Sequence, residues 1–283
     1  MRIKVNGVRL YFDVEGAELV PDGLTMRQRP TLLLLHGGPG ADHATFKPFM
    51  SRFADHAQVI YLDHRGQGRS DVGEARDWNL AQWADDVAGF LEALDIERPY
   101  LLGASFGGFV AQAFATRYPD RLAKLALVAT APRTDAELAI RAFTELGGEQ
   151  VGAIARRFLS QDGGADAATD YLKHCVPLYQ VSQVEIAELA RSIDRPAVRE
   201  HFFNTNGEWH TMDFRAGLAR IACPTLVLNG RRDPVLPIQL AREMAEAIPA
   251  GLATQHIVEN AGHGWADHPE EWAEVLRAFL FDD

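Results

Sequence analysis

Short apolar runs recur along the chain and predict the strands of a mainly parallel sheet. They lie at residues 31–35, 59–62, 100–102, 125–128 and 225–228. Each run is continuous rather than alternating, which is typical of strands that are covered on both faces. Helical patterns separate the runs, as in residues 80–91, where Trp83, Val87 and Phe90 fall on one face. Strands that alternate with helices predict an α/β fold, with helices packed on both faces of the sheet.

The alternation stops between residues 132 and 221, where helical patterns dominate and a Gly/Asp-rich loop stands at 161–166. We interpret this segment as a helical cap inserted between two strands. An insertion at this point lies over the carboxyl ends of the strands, where open α/β sheets bind their ligands. The predicted domains are therefore a core of residues 1–131 and 222–283, and a cap of residues 132–221 above the active site.

The N-terminal residues 2–14 alternate like a pair of strands around Asn6-Gly7, a dipeptide that favours a hairpin turn. This segment lacks the apolar block of a signal peptide. No apolar stretch of the sequence approaches the ~20 residues that are needed to span a bilayer. We therefore expect a cytoplasmic protein without a membrane partner.

Acidic residues outnumber basic ones, 39 against 28, so the formal net charge is −11. Binding to nucleic acid or anionic lipid requires clustered Lys and Arg, so neither partner is expected. The apolar share of 47% is ordinary for a globular protein with a sizeable core. The two cysteines, Cys175 and Cys223, are far apart in the chain and do not indicate an oxidising compartment.

The stretch Gly103-Ala104-Ser105-Phe106-Gly107 is a G-x-S-x-G motif between a predicted strand and a predicted helix. Such a turn holds the serine at strained backbone angles, and only small neighbours fit around it. Gly103 and Gly107 meet that demand. The motif therefore predicts that Ser105 is a nucleophile at the top of the sheet. The alternative is a strand–helix turn without chemistry.

A serine nucleophile needs a base within hydrogen-bond reach and an acid that orients the base. In this architecture the acid and then the histidine follow the serine along the chain. Asp233 comes after the apolar run 225–228, and His263 stands in a glycine-flanked loop after a strand-like segment. Both side chains are thus predicted at the same sheet edge as Ser105. Asp63 also ends a strand, but it precedes the serine and is expected to brace the turn that follows it.

Acyl transfer also requires backbone N–H donors that face the developing oxyanion. The N–H of Phe106, directly after the serine, is one candidate by position. The loop His36-Gly37-Gly38-Pro39-Gly40 follows the first long strand, and we predict the N–H of Gly38 as the second donor. The loop does not match the phosphate-binding pattern. Since the sequence also contains no dinucleotide fingerprint and no metal-ligand spacing, no cofactor and no metal are expected.

These residues resemble the α/β-hydrolase superfamily over nearly the whole chain. Within it, residues 36–40 and residues 63–70 are similar to the H-G-G-P-G and D-x-R-G-x-G-x-S patterns of the proline iminopeptidase group of serine peptidases. The resemblance implies the α/β-hydrolase fold and a helical cap. It also implies cleavage of N-terminal residues, often proline, from short peptides or amides. Neighbouring esterases, amidases and lactonases share parts of both patterns.

Three positions depart from the proline iminopeptidase pattern. In that group glutamates bind the free amino terminus of the substrate, and the nearest match here, Glu200, is offset by one residue. Pro234 stands where some relatives carry a glutamate, and Phe106 stands where many carry a tryptophan. Glu200 is therefore either an amine anchor or a solvated charge of the cap. Trp209 either lines the same pocket or packs inside the cap.

The sequence thus predicts a cofactor-independent serine hydrolase that works through an acyl-enzyme. A small amide or short peptide with a free amino terminus is the first candidate substrate. A carboxylic ester or a lactone is the alternative, with a pocket lined by apolar groups such as Phe202 and Phe203. A cofactor-free haloperoxidase or carbon–carbon hydrolase could use the same three residues. A non-catalytic ligand-binding member of the fold is the remote alternative, and the oligomeric state is left open.

Overall fold

A sheet of eight strands forms the central layer in a computed structural model that describes residues 1–160, 165–182 and 190–282. The strands of the described residues, in chain order, are β1 (Arg2–Val5), β2 (Val8–Glu15), β3 (Leu19–Asp22), β4 (Thr25–Gln28), β5 (Thr31–Leu35), β6 (Gln58–Leu62), β7 (Tyr100–Ala104), β8 (Lys124–Val128), β9 (Thr225–Gly230) and β10 (Ala253–Val258), and all except β3 and β4 belong to this sheet. Across the sheet their order is β1-β2-β6-β5-β7-β8-β9-β10. From β6 to β10 all neighbours are parallel, whereas β1 and β2 are antiparallel. The predicted mainly parallel α/β fold is therefore confirmed.

Helices cover both faces of this sheet. The helices in the described residues are α1 (Leu80–Ala93), α2 (Phe106–Arg117), α3 (Ala136–Leu159), α4 (Ala165–His174), α5 (Pro196–Phe203), α6 (Arg215–Leu218), α7 (Ile238–Ala247) and α8 (Pro269–Phe281). Of these, α1, α2 and α7 pack on one face of the sheet and α8 packs on the other. Helix α3 is interrupted at Gly148, whose φ of 79° and ψ of 178° are not helical. In the described residues, no helix combines the length and the apolar character that crossing a bilayer requires.

The apolar runs divide between two cores because successive side chains of a strand point to opposite faces. In β5, Leu33 and Leu35 belong to the core under α1, α2 and α7, whereas Leu32 and Leu34 belong to the core under α8. In a strand that is buried on both faces, polar residues do not alternate with apolar ones, because every side chain points into a core. The continuous apolar runs in the sequence are a direct consequence of this arrangement.

The N-terminal hairpin forms as predicted, with Asn6 and Gly7 at positive φ in the turn between β1 and β2. A second hairpin, which the sequence pattern does not predict, consists of β3 and β4 and forms a separate two-stranded sheet. All four residues of β4 are exposed. A strand without a buried face leaves no hydrophobic pattern in the sequence, which explains the omission.

The segment predicted as a cap leaves the sheet after β8 and returns before β9, and it contains α3, α4, α5 and α6. Its two ends lie side by side, because Phe214 N–H donates to the carbonyl of Pro132 at 2.7 Å and Arg133 forms a β-bridge with Asp213. Most of the predicted Gly/Asp-rich loop, at residues 161–164, lies outside the described residues. The division into two domains stays a prediction. The names cap and core are used for residues 132–221 and for the rest of the chain.

A buried ion pair fastens the loop after β6 to helix α1. Arg65 donates from Nε and Nη2 to the two carboxylate oxygens of Asp86, at 2.7 Å each. Both side chains are almost completely buried, so each charge depends on the other for its stabilisation. Residues 64–70 are thereby held against the core, next to the loop that follows β5.

We expect Asp86→Ala to lower the free energy of unfolding by about 3–5 kcal/mol, because it removes the carboxylate that Arg65 hydrogen-bonds and leaves only the more distant Asp77, at 3.9 Å, near the buried charge. Urea denaturation followed by circular dichroism measures the loss. Arg277→Ala is the control, since it removes an exposed pair with Asp282 and should change stability far less. Equal losses in the two variants would contradict this account of the Arg65–Asp86 pair.

Candidate active site

Ser105 stands at the junction of β7 and α2 with an unusual backbone conformation, φ 53° and ψ −118°. The surrounding glycines are required by close backbone contacts. A Cβ atom at Gly107 would lie 1.9 Å from the carbonyl oxygen of Leu35, and one at Gly103 would lie 2.4 Å from the carbonyl oxygen of Gly107. The chain can turn this sharply only where these side chains are absent. The turn leaves the Ser105 side chain at the carboxyl edge of the sheet.

The structure brings Ser105, His263 and Asp233 together in a chain of hydrogen bonds. Ser105 Oγ lies 2.9 Å from His263 Nε2, and His263 Nδ1 lies 2.7 Å from Asp233 Oδ2. The carboxylate can only accept, so Nδ1 carries the proton and Nε2 is free to accept from the serine hydroxyl. This is the arrangement in which a histidine acts as base toward a serine.

Asp233 is held by the backbone that follows β9. Its other carboxylate oxygen, Oδ1, accepts from the N–H groups of Val235 at 2.8 Å and Leu236 at 3.0 Å. The carboxylate is buried, so these hydrogen bonds replace the water it loses and set its orientation. Because one oxygen is bound to the backbone, the second one faces His263.

The loop after β5 lies against the serine, as the predicted oxyanion site requires. A Cβ atom at Gly37 would lie 3.3 Å from Ser105 Cβ, and Gly40 N–H donates to Gln67 Oε1 at 2.7 Å. Among the residues that the structure describes, neither Gly38 N–H nor Phe106 N–H donates to a protein acceptor. These two donors are therefore available to a ligand, and their role stays a prediction.

Asp63 braces the neighbouring turn and lies apart from the hydrogen-bond chain of the serine. It accepts from His43 N–H and from His43 Nδ1 through Oδ1, and from Arg69 N–H through Oδ2 at 2.8 Å. Behind the loop, burial lowers the pKa of His36, and burial together with the neighbouring His36 lowers the pKa of His64 well below its usual value. Both imidazoles are thus neutral near pH 7 and place no positive charge under the glycine loop.

A cavity of about 500 Å³ opens above Ser105 and His263, between the core and the cap. Its aromatic walls include Phe46, Phe109, Phe158, Phe202, Phe203 and Trp209. Two charged side chains also line it in the described part of the chain: Asp194 and Arg199, which pair with each other at 2.6 Å. Within the same residues no cluster of His, Cys, Asp or Glu is arranged to hold a metal ion. The cavity is therefore suited to an uncharged, largely apolar ligand.

The two predicted substrate-binding residues have different positions. Trp209 is buried, lines the cavity and packs against Phe203 with ring centroids 4.8 Å apart. Glu200 is exposed on α5 and does not line the cavity among the described residues, which favours the solvated charge over the amine anchor of the two interpretations. The reason is helical geometry: Arg199 and Phe203 face the cavity, and Glu200 falls on the other side of the helix.

Several cavity residues could not be found from the sequence. Tyr179 and Gln180 of the cap contact His263, although they are more than 80 residues away in the chain. Trp265 stacks on Phe49 with ring centroids 4.8 Å apart and closes the cavity beside the histidine loop. The only local signal was the position of Trp265, two residues after His263.

Comparison with known proteins agrees with this fold. Residues 30–265 match the family described as alpha/beta hydrolase fold, and the chain belongs to this family. It is 29% identical to the 2-hydroxymuconate semialdehyde hydrolase of Pseudomonas sp. (strain CF600), over 94% of this chain and 93% of that protein. It is 28% identical to the proline iminopeptidase PfmaB of Pestalotiopsis fici, over 92% of each. The resemblance to α/β-hydrolases, proline iminopeptidases included, is thereby confirmed.

A solved structure extends the range of similar enzymes. A thermophilic esterase from Thermogutta terrifontis superposes with a TM-score of 0.68 at 28% identity, covering 99% of this chain and 98% of its own. The chain is thus similar to hydrolases whose names indicate different substrates. Hydrolase activity is common to them, and the substrate has to be argued from the cavity of this chain.

The elbow around Ser105 gives a direct test. We expect Gly107→Ala to destabilise the protein by at least ~3 kcal/mol, the upper range of overpacking costs, because its Cβ atom would overlap the carbonyl of Leu35. Thermal unfolding monitored by circular dichroism measures this loss. The control is Gly251→Ala, which has positive φ but open space around it and should cost only about 1–2 kcal/mol. Similar losses in both variants would argue against a tightly closed elbow.

Proposed function

We propose that this protein is a serine hydrolase that cleaves carboxylic esters or lactones with an apolar acyl group through an acyl-enzyme. The observation that carries the proposal is the hydrogen-bond chain from Ser105 through His263 to Asp233 at the floor of an apolar cavity. The same three residues were predicted from the sequence as nucleophile, base and acid. Their convergence on one sheet edge supports that assignment.

In the proposed reaction Ser105 Oγ attacks the substrate carbonyl carbon while His263 Nε2 takes the hydroxyl proton. The carbonyl oxygen becomes an oxyanion that accepts from the N–H groups of Gly38 and Phe106. When the intermediate collapses, the bond to the alcohol oxygen breaks and His263 donates its proton to that oxygen. A water molecule then attacks the carbonyl carbon of the acyl-serine while His263 Nε2 takes a proton from the water. The bond to Ser105 Oγ breaks, His263 returns the proton to Oγ, and the carboxylic acid leaves. Asp233 stabilises the imidazolium in both steps.

The composition of the cavity favours a neutral ester over a substrate with a free amino terminus. An ammonium group transferred into an apolar cavity needs a carboxylate partner. Glu200 lies outside the cavity, and the carboxylate of Asp194 is already paired with Arg199. Phe202, Phe203 and the other aromatic walls instead offer apolar surface to an acyl chain.

An aminopeptidase remains the second candidate because of one specific observation. Asp194 lines the cavity, and an incoming ammonium group could exchange with Arg199 for its carboxylate. The similarity to the proline iminopeptidase PfmaB fits this alternative. In that case Asp194, rather than Glu200, binds the free amino terminus of the substrate.

Substitutions in the hydrogen-bond chain test the chemistry. We expect a fluorophosphonate probe to label the wild-type protein at Ser105 and to leave Ser105→Ala unlabelled. Asp233→Asn should lower kcat by roughly 10⁴, because the imidazole loses the acceptor that holds its tautomer. Mass spectrometry of the adduct and ester hydrolysis rates measure both effects. Asp282→Asn, an exposed change near the C-terminus, serves as control. An unlabelled but folded wild-type protein would favour a ligand-binding module without catalysis.

Two matched aryl esters test the substrate class. The ester of cyclopentanecarboxylic acid and the ester of proline share ring size and leaving group and differ in the ammonium charge. We expect kcat/KM at neutral pH to favour the uncharged ester by roughly 10- to 100-fold, since an unpaired buried polar group costs about 1–3 kcal/mol. Glu200→Gln should leave both values unchanged. A preference for the proline ester that Asp194→Asn abolishes would support the aminopeptidase instead.

A further inference from the structure

Both backbone polar groups of His263 are hydrogen-bonded to the cap. His263 N–H donates to the carbonyl of Tyr179 at 2.7 Å, and Gln180 Nε2 donates to the carbonyl of His263 at 2.9 Å. The Gln180 side chain is 7% exposed and also lines the cavity. Because the carbonyl of His263 can only accept, the Gln180 side chain must point its amide nitrogen, rather than its amide oxygen, toward that carbonyl. The position of the histidine backbone is therefore set by residues outside the core.

Asp267 joins the same cap segment, residues 179–182, to the histidine loop. Its Oδ2 accepts from Val181 N–H at 2.8 Å and from Gly262 N–H at 3.0 Å, and its Oδ1 accepts from Ser182 N–H at 2.9 Å. The carboxylate is 3% exposed. Its charge is stabilised by these N–H donors and by a hydrogen bond from the Ser182 side chain.

The protonation state of Asp267 suits this role near neutral pH. Burial raises the pKa of the Asp267 carboxyl, but the hydrogen bonds from Ser182, Val181 and Gly262 outweigh burial, and the net pKa is below the usual value. A carboxyl whose pKa is lower in the folded state than in the unfolded state stabilises the folded state at pH values above the usual carboxyl pKa. This contribution is lost only as the pH falls through the lower, folded-state value.

Packing leaves little freedom between the cap segment and the loop. A Cβ atom at Gly262 would lie 1.9 Å from the carbonyl oxygen of Tyr179, so the two backbones approach as closely as glycine allows. The Tyr179 ring also meets the imidazole of His263 edge to face, with centroids 5.2 Å apart and an interplanar angle of 71°. Displacement of the cap segment would therefore move the imidazole as well.

We propose that Asp267 and Gln180 are positioning residues that align His263 with Ser105 by fastening the histidine loop to cap residues 179–182. This inference rests on the proposed function, in which His263 is the base. Through these contacts, the position of cap residues 179–182 determines whether His263 is aligned to take the proton of Ser105. When the cap segment is docked, His263 is held at hydrogen-bond distance from Ser105. When it lifts, the histidine backbone loses both of its cap partners, and a misplacement of about 1 Å is enough to cost roughly 10²-fold in rate.

Two substitutions weaken this fastening without touching the reacting atoms. Asp267→Asn keeps the shape of the side chain, but an amide has only one acceptor oxygen. That oxygen can accept from at most two of the three N–H groups, and the NH₂ group then faces the third N–H. Gln180→Met keeps the side-chain length and removes the donor to the carbonyl of His263. The matched control is Glu208→Ala, which removes another cap-to-core bond: Glu208 Oε2 accepts from Leu80 N–H at 2.6 Å, away from the histidine loop.

We expect Asp267→Asn and Gln180→Met to lower kcat and the rate of fluorophosphonate labelling by roughly 10- to 100-fold, while KM changes far less. The far-downfield proton resonance of the His263–Asp233 hydrogen bond should broaden or shift in both variants. Glu208→Ala should keep the labelling rate and this resonance of the wild type. Circular dichroism establishes that each variant is folded, and Gln180→Met carries the test alone if Asp267→Asn does not fold.

The inference is overturned if both variants label at the wild-type rate, or if Glu208→Ala loses as much activity as they do. The second result would mean that any loosening of the cap has the same effect. A failure of the proposed function looks different, because the wild-type protein itself would then not be labelled at Ser105. The two outcomes are therefore separable in one experiment.

Discussion

The rest of the site depends on the backbone of Ser105, which is held at φ 53° between β7 and α2. A non-glycine residue in this conformation is strained, and it persists only where the surroundings impose it. Here the imposing contacts are the approach of Gly107 to Leu35 and of Gly103 to Gly107, which exclude any side chain. This conformation places the Ser105 hydroxyl at the edge of the sheet from which the loops after β9 and β10, with Asp233 and His263, also extend. Three residues from distant parts of the chain can meet there only because the parallel strands end at a common edge.

Core and cap contribute different things to the site. The core supplies the serine, the carboxylate, the glycine loop and the histidine side chain on elements fixed by the two buried hydrophobic cores. The cap supplies most of the aromatic wall and also binds both polar backbone groups of His263. An insertion that only covered the site would need no such bonds. Under our proposal, binding of a substrate beneath the cap and alignment of the base are therefore parts of one structural state.

Members of this family share a fold, so the fold cannot select among esters, lactones, peptides and carbon–carbon bonds as substrates. What distinguishes this chain is its cavity, in which aromatic and aliphatic walls surround a single Asp194–Arg199 pair among the described residues. Pairing lowers the ability of either charge to bind an ion of opposite sign. This feature, rather than the glycine-rich loop that resembles proline iminopeptidases, is the basis for preferring a neutral substrate.

The sequence by itself determined the mainly parallel sheet, because strands buried on both faces must be continuously apolar. It also indicated Ser105, Asp233 and His263, since each follows a recognisable strand and therefore has a predictable edge. The second hairpin was missed because exposed strands carry no such pattern. Glu200 was left between two interpretations, because each residue turns a helical side chain by about 100° and the sequence does not show which side of the helix faces the cavity. Only the tertiary structure decided which cap residues face the cavity and that Tyr179, Gln180 and Asp267 hold the histidine loop. These contacts join segments more than 80 residues apart through backbone groups, and backbone N–H and C=O groups are the same for almost every amino acid.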